Sequence, residues 1–143
     1  VLGSYALLNL TEQISDVVFI GISVDGSLLD WNIQRTFDFT PTKYNMLIDQ
    51  RVGLGENAVS LNETTTGGAG IFAEFLESKA IKLIDGKYPN LSEKRAILGH
   101  SFGGLFCFYL MQNKLDLFTD YIIISPSLWW NKPEQLNDEI FRN

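Results

Sequence analysis

The chain has 143 residues, 45% hydrophobic and 20% charged, which is enough for one globular domain with its own core. Its net charge of −6 argues against nucleic acid or an anionic membrane surface as the main partner. A single cysteine excludes an internal disulfide framework and a multi-cysteine metal site, and no apolar run approaches the roughly 18 residues that cross a bilayer.

Taken in chain order, helix and strand signals alternate. Residues 5–14 read as the end of a helix, with Ala6, Leu7, Leu10 and Ile14 near helical spacing. Residues 17–22 form a short apolar, β-branched run, the pattern of a strand buried in a parallel sheet. Residues 25–68 read as a long irregular loop, broken by Asp25-Gly26, Thr40-Pro41 and Gly67-Gly68. Ordered loops of that length are usually functional. From Ile71 the spacing of Phe72, Phe75, Leu76, Leu83 and Ile84 predicts a helix, with Gly86 as its stop.

Residues 96–98 are the next predicted strand. Residues 105–111 are apolar all round, as in a helix buried in the middle of a domain, and Cys107 is expected there as a buried, inert thiol. Residues 121–124 give a third strand, and Pro133 suits the first turn of a last helix running to about Phe141. The alternation implies an α/β fold: a parallel sheet with crossover helices. Three strands would leave sheet edges to be covered.

Between the second predicted strand and the buried helix stands Gly99-His100-Ser101-Phe102-Gly103, a G-x-S-x-G pattern. A serine on a sharp strand-to-helix turn projects its oxygen above the sheet, where it can act as a nucleophile. Strand and helix approach closely two positions either side of it, so Gly99 and Gly103 are the expected structural glycines. The Phe102 N–H, at the helix start, can donate to an oxyanion. The plain alternative is a glycine-rich turn whose serine only caps the helix. His100 is the sole histidine. As the neighbour of Ser101 it is poorly placed to be the general base, and in this arrangement the base comes from much later in the chain.

From Gly67 onward the sequence resembles the esterase family of α/β-hydrolases, most closely the branch with the enterochelin and salmochelin esterases. The resemblance rests on Gly67-Gly68-Ala69, Phe72 and Phe75-Leu76, on the run from Ile97 to Phe106, on Phe118 and Tyr121, and on Ser125-Pro126-Ser127-Leu128-Trp129-Trp130. Upstream, Arg35-Thr36-Phe37-Asp38-Phe39-Thr40-Pro41 is similar to the family's R-x-x-D-[YLF]-T-P segment. The resemblance implies a three-layer α/β-hydrolase sandwich and a carboxylic ester hydrolase, siderophore-directed or general. It implies Ser101 as nucleophile, with no cofactor and no metal. It also implies that residues 1–143 are the central part of one domain. The second oxyanion donor then lies before them, and the catalytic histidine and its acid partner after them. Acyl transfer from the same turn, or binding without catalysis, are the alternatives.

Three further residues are substrate-contact candidates. Trp129 and Trp130 follow a strand C-terminus, where open α/β sheets place ligands, with one of the two indoles expected in the core. Arg35 could clamp an anionic substrate, although an Arg35–Asp38 pair fixing the loop is the favoured role. Ser125 and Ser127, beside Pro126, read as turn formers. A small ester is the expected partner.

Overall fold

The computed structural model describes residues 17–44, 50–91 and 94–130. The helices expected at 5–14 and 133–141 lie outside them. Helix α1 spans Leu28–Phe39. Two short strands, β1 (Arg51–Val52) and β2 (Val59–Ser60), form an antiparallel pair. Helix α2 (Ala69–Phe75) runs through a π-helical turn, Leu76–Ala80, into α3 (Ile81–Lys87). Then follow β3 (Ala96–His100), α4 (Phe102–Asn113) and β4 (Asp120–Ile124).

β3 and β4 pair in parallel, from Ala96 opposite Asp120 to His100 opposite Ile124. Parallel neighbours need a crossover, and α4 supplies it. The helix is apolar all round because it is covered on both sides. One side packs on β3 and β4, the other against α1 and α2. Ala69, Ala73, Leu76 and Ala80 form a core with Phe106 and Leu110 of α4. Small side chains on α2 let the two helices approach. A second cluster joins Phe102 and Leu105 of α4 to Tyr44, Leu61 and Trp130, and Phe39 packs against both clusters. Burying each large apolar side chain contributes roughly 1.5–3 kcal/mol. Cys107 is fully buried within α4, as expected.

The sheet's other face carries Leu98 and Ile122 at 49% and 48% exposure, uncovered among the described residues. Strands apolar on both faces belong to a sheet with helices on both sides, the three-layer arrangement.

Three expectations change. The segment 25–68 is not an irregular loop: α1 occupies Leu28–Phe39. Its start is a capping box. The Ser27 hydroxyl accepts from the Asp30 N–H, and the Asp30 carboxylate accepts from the Ser27 N–H. The helix escapes periodicity because its buried face uses threonine. Thr36 and Thr40 are buried, with their hydroxyls donating to the Asn32 and Thr36 carbonyls. The Thr40 hydroxyl also accepts from Gly67 N–H, which ties the loop to the helix end.

Residues 17–22 do not join the sheet. They adopt no regular secondary structure, and their side chains are exposed. The parallel sheet has two strands among the described residues rather than three. Gly86, finally, does not stop its helix. It lies inside α3, and Tyr88 takes the C-cap, its N–H reaching the Ile84 carbonyl at 2.9 Å.

Candidate active site

β3 ends at His100 and α4 begins at Phe102, so Ser101 alone makes the turn from strand to helix. Its backbone sits at φ 59° and ψ −117°, a region that costs a non-glycine residue about 1–3 kcal/mol. Three backbone bonds hold it there. The Ser101 N–H donates to the Ile124 carbonyl at 3.1 Å, extending the ladder to β4. The Ser101 carbonyl accepts from Leu105 N–H at 3.0 Å and from Ser127 N–H at 3.1 Å. The side chain makes no capping bond to the helix. Its oxygen lies instead 3.1 Å from Ser127 Oγ. Phe102 is the first residue of α4, so its N–H has no intrahelical acceptor, and the helix adds partial positive charge at that end.

The close approach of strand and helix is one-sided. A Cβ on Gly99 would overlap the Gly103 carbonyl and stand 2.7 Å from Cys107 Sγ. A Cβ on Gly103 would meet only the Phe39 ring, at 3.8 Å, an ordinary contact. Gly103 is therefore not required to lack a side chain: it gives up its backbone surface to Gly99, while its own Cβ direction faces α1. Gly104, which sequence reasoning passed over, is the tighter helical position, since a Cβ there would lie 3.0 Å from Pro126.

The His100 ring forms no hydrogen bond with Ser101 Oγ among the described residues. The His100 carbonyl instead accepts, at a long 3.5 Å, from Arg35 Nη2. Arg35 does not pair with Asp38. Asp38 accepts from Gln34 Nε2 at 2.8 Å, while the Arg35 guanidinium lies 5.6 to 5.8 Å from the ring centres of Trp31, Phe39 and Phe102. Three aromatic faces turn the guanidinium toward β3 and away from its neighbour on the helix. Burial lowers the Arg35 pKa, and it raises that of Asp38 against the opposing effect of the Gln34 bond. Arg35 also borders an open cavity of about 410 Å³, lined by Trp31, Gln34, Asp38, Phe39 and Phe72 among others, and Ser101 does not line it.

The two tryptophans divide as expected. Trp130 is 2% exposed, packed edge-on to Phe102 and tilted against Tyr44, with its Nε1 pointing to Thr42 Oγ1 at 3.4 Å. Trp129 is 46% exposed and lies against Phe102. Ser125 is the turn former that its sequence suggests, at φ 41°. Ser127 is more than that: it is 5% exposed and touches Ser101. The signal available in the sequence was a Ser-Pro-Ser immediately beyond a parallel strand, beside the strand that carries Ser101.

No helix among the described residues is long and apolar enough to cross a membrane, and no group of metal-binding side chains occurs among them.

A family model described as Putative esterase matches residues 30–142. The siderophore triacetylfusarinine C esterase of Aspergillus fumigatus is 31% identical over 116 residues, covering 80% of this chain and 34% of that protein. The ferri-bacillibactin esterase BesA of Bacillus subtilis is 42% identical over 67 residues, or 47% of this chain and 23% of that protein. In structure, the BES protein from Bacillus cereus superposes with a TM-score of 0.59 at 30% identity, over 75% of this chain and 35% of that one. The siderophore hydrolase EstA from Aspergillus nidulans gives 0.55 at 29% identity, over 78% and 35%. The chain thus spans about a third of the length of most of these relatives. Its fold is of the α/β-hydrolase type, and with the family model matching most of its length, the chain belongs to the Putative esterase family.

Proposed function

We propose that the full-length protein containing this chain is a serine-dependent carboxylic ester hydrolase, with Ser101 as nucleophile. The observation that carries the reading is the Ser101 turn. A turn that only redirected the chain would hold glycine without strain, yet this one holds a serine at φ 59° whose hydroxyl caps nothing. Ser101 Oγ attacks the ester carbonyl, the carbonyl electrons move onto oxygen, and the Phe102 N–H donates to that oxyanion. The bond from carbon to the leaving oxygen then breaks, the alcohol departing with the proton taken from Ser101, and water hydrolyses the acyl-enzyme. Residues 1–143 are read as the central part of one catalytic domain, and the base that takes the Ser101 proton is a histidine other than His100.

The names of the relatives suggest siderophore esters as substrates. Arg35 and Trp129 are the contacts proposed for such a substrate. Arg35 is a half-buried cation with no carboxylate in ion-pair range among the described residues, beside an open cavity. Trp129 offers an exposed ring beside Phe102.

The test is fluorophosphonate treatment of the full-length protein followed by peptide mapping. Phosphonylation of Ser101 is expected. Labelling at another serine, or none in a protein that hydrolyses esters, would overturn the assignment.

A further inference from the structure

We propose that Ser127 is a positioning residue for Ser101: its hydroxyl donates to Ser101 Oγ, fixes the direction of that oxygen and leaves the Ser101 proton free for the base. The inference rests on the reading of Ser101 as nucleophile and deepens it.

The two hydroxyl oxygens are 3.1 Å apart, and Ser127 is 5% exposed. A buried hydroxyl needs a hydrogen-bond partner, and Ser101 Oγ is the one that the described residues give it. Each hydroxyl has one proton and two lone pairs, so the pair can bond in either sense. With Ser101 donating, its proton would be held by Ser127 and would have to be released before any base could take it. With Ser127 donating, one Ser101 lone pair is engaged and the proton is free to face the base. The bond also selects one of the three staggered wells open to the Ser101 side chain, so the nucleophile is held in one direction before substrate arrives.

Ser127 can fix Ser101 because it is itself fixed. Its N–H donates to the Ser101 carbonyl, and its carbonyl accepts from Trp130 N–H, each at 3.1 Å. Trp130 is locked in the core between Phe102 and Tyr44. Pro126 packs so tightly on the first turn of α4 that a Cβ on Gly104 would stand 3.0 Å from it. The segment from Ser125 to Trp130 thus carries the position of the core to the Ser101 oxygen. Ser125, with φ 41°, starts this path by turning the chain off β4.

The test uses the full-length protein with Ser127→Ala. The substitution removes one oxygen and leaves no buried polar group unpaired, because Ser101 is partly exposed to water. Loss of one orienting hydrogen bond is expected to lower kcat for a short activated ester about tenfold, with KM within about twofold and Tm within about 2 °C. Fluorophosphonate labelling of Ser101 should slow by a similar factor. Wild-type protein whose Ser101 does not label would overturn the nucleophile reading, and this inference with it. Three results would overturn the inference alone: Ser101 labelling in wild type and at the same rate in Ser127→Ala, a raised KM at unchanged kcat, or a lost kcat that merely follows a lowered Tm.

Discussion

Gly99 lies directly against the backbone of Gly103. A side chain at 99 would occupy the place of the Gly103 carbonyl, whereas a side chain at 103 would reach only the edge of the Phe39 ring. The asymmetry matters because β3 and α4 must meet closely for Ser101 to stand between them. The cysteine at 107, one helical turn beyond Gly103, closes the same contact from above, 2.7 Å from the would-be Cβ.

It follows that the two glycines differ in tolerance. Gly99→Ala should destabilise the protein by about 1–3 kcal/mol or more, since a backbone carbonyl cannot move aside as a side chain can. Gly103→Ala should cost under about 1 kcal/mol and could gain from the better helix propensity of alanine. Urea unfolding of the two variants checks this, and equal losses would contradict the one-sided contact.

Ser101→Ala in the full-length protein should lose ester hydrolysis by roughly 10⁴-fold or more while staying folded. Initial rates on a short activated ester, with circular dichroism as a control, measure both. A folded variant with most of its activity would remove Ser101 from the mechanism.

The tryptophans should separate stability from function. Trp130→Ala removes a buried indole that touches Phe102 and Tyr44, at a cost of about 3–5 kcal/mol. Trp129→Ala should change stability by under about 1 kcal/mol, its ring being half exposed, and should raise KM if the ring meets substrate. Thermal melts and Michaelis–Menten curves on both variants decide it.

Burial pushes the Cys107 thiol up to about 11 from its ordinary 9.0. Between those values the unfolded chain releases the proton and the folded chain keeps it. The contribution is therefore full below about pH 9 and is lost as pH rises through about 11. Cys107→Ala should show a shallower fall of the urea midpoint than wild type between about pH 8 and 10.5. In the native wild type, a thiol reagent at about pH 8 should react only on unfolding.

Arg35→Lys keeps the charge but loses the flat face that the three rings contact. It should lower Tm by a few degrees, consistent with about 1–2 kcal/mol of cation–π contact. If Arg35 also meets substrate, KM for an anionic ester should rise more than for a neutral one. Equal KM changes for the two esters would confine Arg35 to structure.

Much of the fold could be read along the chain. The strand, helix and strand around Ser101 and the buried cysteine all follow from local apolar pattern, because α4 is covered on both sides and the two strands pack against it. Helix α1 was hidden, although its capping box from Ser27 to Asp30 was in view, because the fully buried positions at Thr36 and Thr40 are threonines that satisfy their hydroxyls on their own helix, while Leu28, Leu29, Trp31 and Ile33 are exposed. Residues 17–22 misled in the opposite direction, since an apolar β-branched run states only a preference. The candidate site was legible at Ser101, where Gly99, two positions before the serine, marks the close strand-to-helix turn. It was not legible at Arg35, whose partners proved to be aromatic faces from two helices rather than the carboxylate three residues away.

The sequence by itself determined the α/β class, the strand-to-helix turn at Ser101 and the family, because each is read from short local patterns and their order along the chain. Only the tertiary structure decided which glycine the turn requires, which tryptophan is buried, and that Ser127 faces Ser101. Those pairings join residues 26 or more positions apart, or depend on which side of an element its neighbours cover, and the parallel register of β3 on β4 is what brings the ends of both strands, and so the two serines, to one place.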